Sequence, residues 1–447
     1  MSRTAAIDKV PSDSMKGFTL AGVKLPMFFI STVIVFAAMY MGVLPGGMIG
    51  AFPLMIIVGA ILNEIGNRTP IIKDYLGGGA IVVIFGSAAL TTYGVFPESA
   101  STIISNFMRG EGFLTFYIAA LITGSILGMD RNLLIKASIR YLPAILGGVA
   151  LAMGLTFIVG SIIGYGGTEA MLYIAVPIMG GGMGAGAVPL SQIFGEALQI
   201  DMGQMLSKMV PALALGNALA IVTAGLLNKL GKKKTELTGN GALLLPSPDS
   251  NKQNMAQKKE AEEVSKVQQR KPEYITMGIG LLLSTAFFAL GKILGSFIPI
   301  HSYALMIISV AIVKALGIMP REYEVGAFQW FRFIMVVLTP TLLVGIGVAY
   351  TDLNAVINAL SFSYIILVVV TLIGAVFGAG IVGRLLGFYP IESAITAGLC
   401  MANMGGTGDV AVLSASKRME LMPFAQISSR IGGAFMLILA TALLGIL

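Results

Sequence analysis

One cysteine, one histidine and one tryptophan occur in 447 residues. The lone Cys400, set in an apolar stretch, excludes a disulfide-stapled secreted scaffold. With a single histidine (His301) and neither an H-E-x-x-H nor a G-x-S-x-G sequence, the chain lacks the groups a hydrolase needs and does not read as an enzyme. Charge is scarce as well. Asp, Glu, Lys and Arg make up 11% of the residues and apolar types 56%, against about 25% and 45–50% in soluble domains. Of 51 charged side chains, 16 fall within residues 229–273, which leaves the rest of the chain poorer still. A mean hydropathy of +0.87 and 56 glycines fit closely packed membrane helices. The net charge of +7 is read as loop lysine and arginine facing the cytoplasm, not as a nucleic-acid surface. The first 24 residues are polar and carry no cleavable leader pattern.

Apolar spans recur at about 25–44, 48–63, 77–95, 112–129, 141–165, 209–228, 275–299, 303–319, 328–349, 358–387 and 422–446. Two further apolar stretches, near 169–200 and 390–417, are interrupted by glycine clusters. Each of their halves is about 11 residues, or ~16 Å of helix, half a bilayer. They read as re-entrant hairpins. With the N-terminus inside, 19 Lys/Arg of the first half and linker fall on the inner side and only Arg109 and Lys208 on the outer. This places the N-terminus and linker in the cytoplasm and the C-terminus outside.

The two halves repeat one another. Val159-Gly160-x-x-x-Gly164-Tyr165-x-x-x-Glu169 matches Val382-Gly383-x-x-x-Gly387-Phe388-x-x-x-Glu392 at an offset of 223. Gly181-Gly182-Met183-Gly184 matches Gly405-Gly406-Thr407-Gly408, and Gln204-x-x-Ser207-Lys208 matches Gln426-x-x-Ser429-Arg430. Five spans per repeat, an odd number, put the second repeat upside down. Inverted repeats with a broken element in each half are the architecture of secondary transporters. The expected organisation is a cytoplasmic tail and extra first helix (1–45), repeat 1 (46–228), a flexible cytoplasmic linker (229–273) and repeat 2 (274–447). The fold class is all-α and polytopic, with about eleven transmembrane helices and two re-entrant hairpins.

At each glycine turn the second half-helix begins with unpaired N–H groups and a partial positive charge, a cradle for an anion. The candidates are Gly181, Gly182, Met183 and Gly184 in the first hairpin and Met404, Gly405, Gly406 and Thr407 in the second. Arg430 lies about eight residues into the last span, where a costly buried arginine suits bidentate capture of a carboxylate. Its repeat mate Lys208 lies at a span end, where snorkelling explains it equally well. Asn403, Thr407, Ser428 and Ser429 offer hard neutral oxygens of the kind Na⁺ uses. Asp409 is open to three roles: helix cap, proton carrier or part of a cation site. Glu169 and Glu392 are read as dipole partners at the hairpin starts.

On these residues the chain resembles the bacterial 2-hydroxycarboxylate transporter family, which includes sodium–citrate symporters and citrate and malate carriers. The most specific stretches are Pro177 to Ser191, Phe388 to Asp409 and Ala425 to Arg430. The resemblance implies an inner-membrane homodimer working as an elevator. The last two spans and the hairpin of each repeat would move against the earlier spans. It assigns the substrate carboxylate to Arg430 and sodium to Asn403, Thr407 and Ser429. The sodium–citrate symporters carry Asn in the first G-G-x-G and Arg just before the second, where this chain has Met183 and Met404. That departure favours malate or mixed malate and citrate use. The coupling ion, Na⁺ or H⁺, and exchange against lactate instead of symport both stay open, and no cofactor is implied. An anion channel, the reading from another class, would need a continuous polar pathway that these spans do not show.

Overall fold

The structure is a computed structural model that describes residues 18–70, 72, 79–128, 131, 141–245, 272–298, 302–418 and 421–444. Apart from a two-residue β-hairpin (β1, Thr19–Leu20; β2, Val23–Lys24) and one isolated bridge, the described chain is helical. Proline in the first turn opens α1 (Leu25–Tyr40), where its missing N–H costs nothing. Next come α2 (Met48–Arg68), α3 (Gly79–Thr92), α4 (Glu98–Arg109), α5 (Phe113–Leu127) and α6 (Leu142–Ile162). The first hairpin is α7 (Gly167–Ile178) and α8 (Val188–Leu198), joined by a glycine turn and a wide turn, Met183–Ala187. Asp201 then caps α9 (Met202–Lys233), accepting from Gly203 N and Gln204 N.

The second half runs α10 (Tyr274–Gly295), α11 (Ser302–Leu316), α12 (Arg321–Tyr350), α13 (Leu353–Ala359) and α14 (Phe362–Leu385), the last capped by Ser361. The second hairpin has α15 (Pro390–Ser393), continued by the wide turn Ala394–Leu399, and α16 (Gly406–Ser416). It is followed by α17 (Phe424–Leu444).

Every one of the eleven expected spans coincides with a helix. Among the described residues seven are long and apolar enough to cross a membrane, eight if the pair α4–α5, bent by 42°, is one span. The others, α1, α3 and α11, are 16, 14 and 15 residues long, or ~21–24 Å at 1.5 Å per residue. The α4 helix was not expected. It is amphipathic, and Glu98, Ser101, Asn106 and Arg109 break any apolar run. Of the linker expected to be a free tether, residues 229–233 are instead helical and 237–245 lie largely against the protein. The α9 helix continues to Lys233, Thr238, Leu243 and Leu244 are buried, and Leu244 bridges Phe388. His301 and linker residues 246–271 lie outside the described residues.

The helices pack in two groups. In one, α2 and α3 pack with α4 and α12, and α12 with α5 and α10. In the other, α6 lies along α14, and α9 runs beside both hairpins. Small residues allow that α6–α14 approach. A Cβ on Gly378 would collide with the Gly147 backbone and one on Gly374 with Ala152, while Thr156 and Thr371 hydroxyls share a 2.7 Å hydrogen bond. Matched positions of the repeat behave alike. A Cβ on Gly160 would strike Ala170 and one on Gly383 would strike Ser393, both pairs related by the offset of 223. The second arms both end on a left-handed residue, Gln199 (φ 56°) and Lys417 (φ 57°).

Candidate transport site

The two glycine turns of the second group touch one another. Gly182 (φ 106°) lies against the carbonyl of Met404, where a Cβ would come within 2.6 Å of the oxygen. Gly181 lies equally close to the carbonyl of Ser429. A side chain at Gly182 would force the tips apart and one at Gly181 would push the first tip off α17, so both contacts require glycine.

A cavity of about 670 Å³ opens between the two helix groups at this meeting point. Asn63, Tyr117, Phe331 and Thr339 line it from the first group, and Gly181, Met183, Met404, Gly405, Asp409 and Arg430 from the second. Arg430 sits in the wide turn Ser428–Gly432 of α17, its guanidinium carbon 5.7 Å from the centre of the Phe331 ring. It makes no hydrogen bond or ion pair with a described residue, so its planar fork is free for an anion in the cavity.

Beside Arg430 is a buried oxygen cluster. Asp409, fully buried, accepts from Asn403 Nδ2 at 3.0 Å and from Ser429 Oγ at 2.8 Å. The capping role considered for Asp409 is not the one observed: α16 is capped by Gly405 with no side-chain bond. Ser428 points elsewhere, to the Tyr141 hydroxyl at 3.0 Å. The side-chain surroundings of Gly184, Gly406 and Thr407 lie outside what is described.

The cradle differs between the tips. In the second, Met404 N–H is taken by Asn217 Oδ1 at 3.2 Å and Gly405 N–H by Asn403 Oδ1 at 2.6 Å. These two donors are spent on side chains, contrary to the expectation that the turn would offer them to an anion. Glu392 stands in the first turn of α15, the place expected of a dipole partner, and has further partners there. It is a buried acceptor for Arg418 Nε (2.9 Å), Thr238 Oγ1 (2.6 Å) and Gly239 N (3.0 Å), which pins the start of the linker to the second hairpin. Lys208 is exposed, its ammonium 4.6 Å from the Tyr173 ring centre. Sequence reasoning missed Asn217, Asn63 and Tyr117. Asn217 had left a signal, as the one amide in the apolar run Ala212–Ala220.

Comparison with known proteins decides the class. Residues 20–442 match the model of the 2-hydroxycarboxylate transporter family. The chain belongs to this family. It is 41% identical over 423 residues to the Na(+)-malate symporter of Bacillus subtilis, covering 94% of this chain and 92% of that one. It is 38% identical over 422 residues to the citrate transporter CitP of Lactococcus lactis, covering 94% and 92%. Over 454 residues it is 38% identical to the citrate/sodium symporter of Klebsiella pneumoniae, covering 100% and 99%. This 2-hydroxycarboxylate family member is thus a multi-pass membrane transporter and not an enzyme.

Proposed function

We propose that the protein is a cation-coupled symporter of 2-hydroxycarboxylates that carries malate in preference to citrate. The observation that carries this reading is the cavity in which an unpaired Arg430 faces both glycine tips beside the Asp409–Asn403–Ser429 oxygens. Arg430 holds one carboxylate as a fork, and unengaged N–H groups of the first tip receive the other. The coupling cation sits among Asp409, Asn403 and Ser429, with Thr407 at the start of the same helix. Bringing a cation beside an anion lowers the cost of taking either from water. Two relatives support both halves of the reading, a Na(+)-malate symporter at 41% identity and a citrate/sodium symporter at 38%. Met404 supplies no countercharge at the tip, so a third carboxylate goes unpaired and citrate is disfavoured.

In this account the two repeats are inverted in a bacterial cytoplasmic membrane, with the N-terminus and linker inside and the C-terminus outside. The group containing α6, α9, α14, α17 and both hairpins moves as an elevator against the other group, within a homodimer. Arg109, from α4, then latches the closed side. It pairs with Asp201 at 3.3 Å and donates to the carbonyl of Ala349. Proteoliposome uptake of labelled malate and citrate under imposed Na⁺ or pH gradients tests the proposal. Accumulation above equilibrium driven by one cation gradient is expected. Uptake that requires an internal hydroxy acid and ignores both gradients would make the protein an exchanger, and uptake that never exceeds equilibrium would make it a channel.

A further inference from the structure

We propose that Asn217 is a positioning residue for the cation site. It stands on α9, in the first repeat, yet it shapes the turn of the second hairpin. Asn217 is buried (1% exposed) and does not line the cavity, so it acts through other groups. Its Oδ1 accepts the Met404 N–H at 3.2 Å. The next N–H, of Gly405, goes to Asn403 Oδ1 at 2.6 Å. Two side-chain amides therefore hold two consecutive donors between the end of one arm at Leu399 and the start of the next at Gly406. The second amide continues into the site, because Asn403 Nδ2 donates to Asp409 at 3.0 Å, and Asp409 in turn accepts from Ser429. Any loosening at Asn217 thus reaches the carboxylate through one turn of backbone and one side chain.

Gly408 gives an independent sign of the same arrangement. A Cβ there would come within 2.8 Å of Asn217 Oδ1 and 2.9 Å of Asn403 Oδ1. The last glycine of Gly405-Gly406-Thr407-Gly408 leaves room for two carboxamides and not for a ligand. Its matched position in the first hairpin, Gly184, stands where Asn403 and Asp409 correspond to Met179 and Ala185. No polar pair needs arranging there, which fits a device confined to the second tip.

The inference rests on the reading that Asp409, Asn403 and Ser429 bind the coupling cation, and its test keeps the two separable. In proteoliposomes, Asn217→Ala should raise the cation concentration for half-maximal malate uptake about tenfold. The KM for malate at saturating cation should change less than twofold. Asn217→Asp, which keeps the acceptor oxygen, should return the cation requirement to within threefold of wild type. Gly408→Ala should reproduce the Asn217→Ala defect from the other side of the contact, and it stands in if that variant fails to assemble. Equal effects on malate KM and cation requirement would overturn the proposal, as would a silent Gly408→Ala. A second readout does not depend on coupling: the labelling rate of a cysteine placed at Met404 in a Cys400→Ala background. Asn217→Ala should raise that rate several-fold by freeing the turn. If wild-type uptake ignores cations, the symport reading falls by itself. An unchanged labelling rate would then overturn the positioning role too.

Discussion

Replacing Gly182 by alanine tests whether the two glycine tips must touch. The residue has φ 106° and ψ −174°, a conformation that L side chains avoid. An added Cβ would sit 2.6 Å from Met404 O and 2.7 Å from Met404 C, backbone atoms that cannot rotate away. Unfavourable backbone geometry costs about 1–3 kcal/mol, and overpacking a filled interior costs about 1–3 kcal/mol more. Even the lower ends sum to about 2 kcal/mol, roughly a thirtyfold loss of the state with the tips in contact. The assay is the initial rate of labelled malate uptake into proteoliposomes, with thermal unfolding in detergent measured in parallel. Uptake should fall by about that factor. Gly154→Ala, in α6 with nothing within 4 Å of its Cβ position, should leave both measurements unchanged. Uptake by Gly182→Ala within twofold of wild type would refute the claim that tip contact builds the site.

Three other outcomes are expected. Arg109→Ala removes an ion pair whose side chains are each about half exposed (47%), worth about 0.2–1 kcal/mol after solvent screening. It also removes the bond to the Ala349 carbonyl and stacking on Tyr350, so the cavity-open state seen here should lose population. Slower labelling of a cysteine at Val410, a half-exposed cavity residue, would register this, and an unchanged rate would exclude the latch. Glu392→Gln strands the buried Arg418 and should cost about 3–5 kcal/mol, seen as a lower Tm; a Tm within error of wild type would contradict the anchoring role. Met404→Arg should raise the citrate-to-malate uptake ratio by supplying the missing countercharge, and an untouched ratio would remove charge matching as the cause of preference.

The site was more legible in the sequence than the parts that support it. Glycine clusters that break two apolar runs announce the tips, and an arginine eight residues into the last span announces itself by its insertion cost. Both signals are local. The α4 helix was hidden because its burial depends on partners in other helices: Phe107 meets Phe52 of α2 edge-on and stacks on Phe113 of α5, while its exposed face is polar. The packing of residues 237–245 was hidden for a related reason. Its anchor is Glu392, some 150 residues away, and composition alone reads Lys232-Lys233-Lys234 as the start of a solvated tether. Asn403 looked like a metal-type oxygen donor, but it also spends its carbonyl on Gly405 N–H. That bond depends on the fold of the turn, which residue types alone do not specify.

The central claim is that Arg430 holds the substrate carboxylate within the cavity between the tips. The most direct measurement is the malate KM in counterflow for wild type and Arg430→Lys, at saturating cation. Lysine keeps the charge but replaces the planar fork with a point charge on a flexible stem. The account predicts a KM raised at least about fivefold, since one charge-assisted bond of the pair, about 1–2 kcal/mol, is lost. A KM and maximal rate both equal to wild type would contradict it.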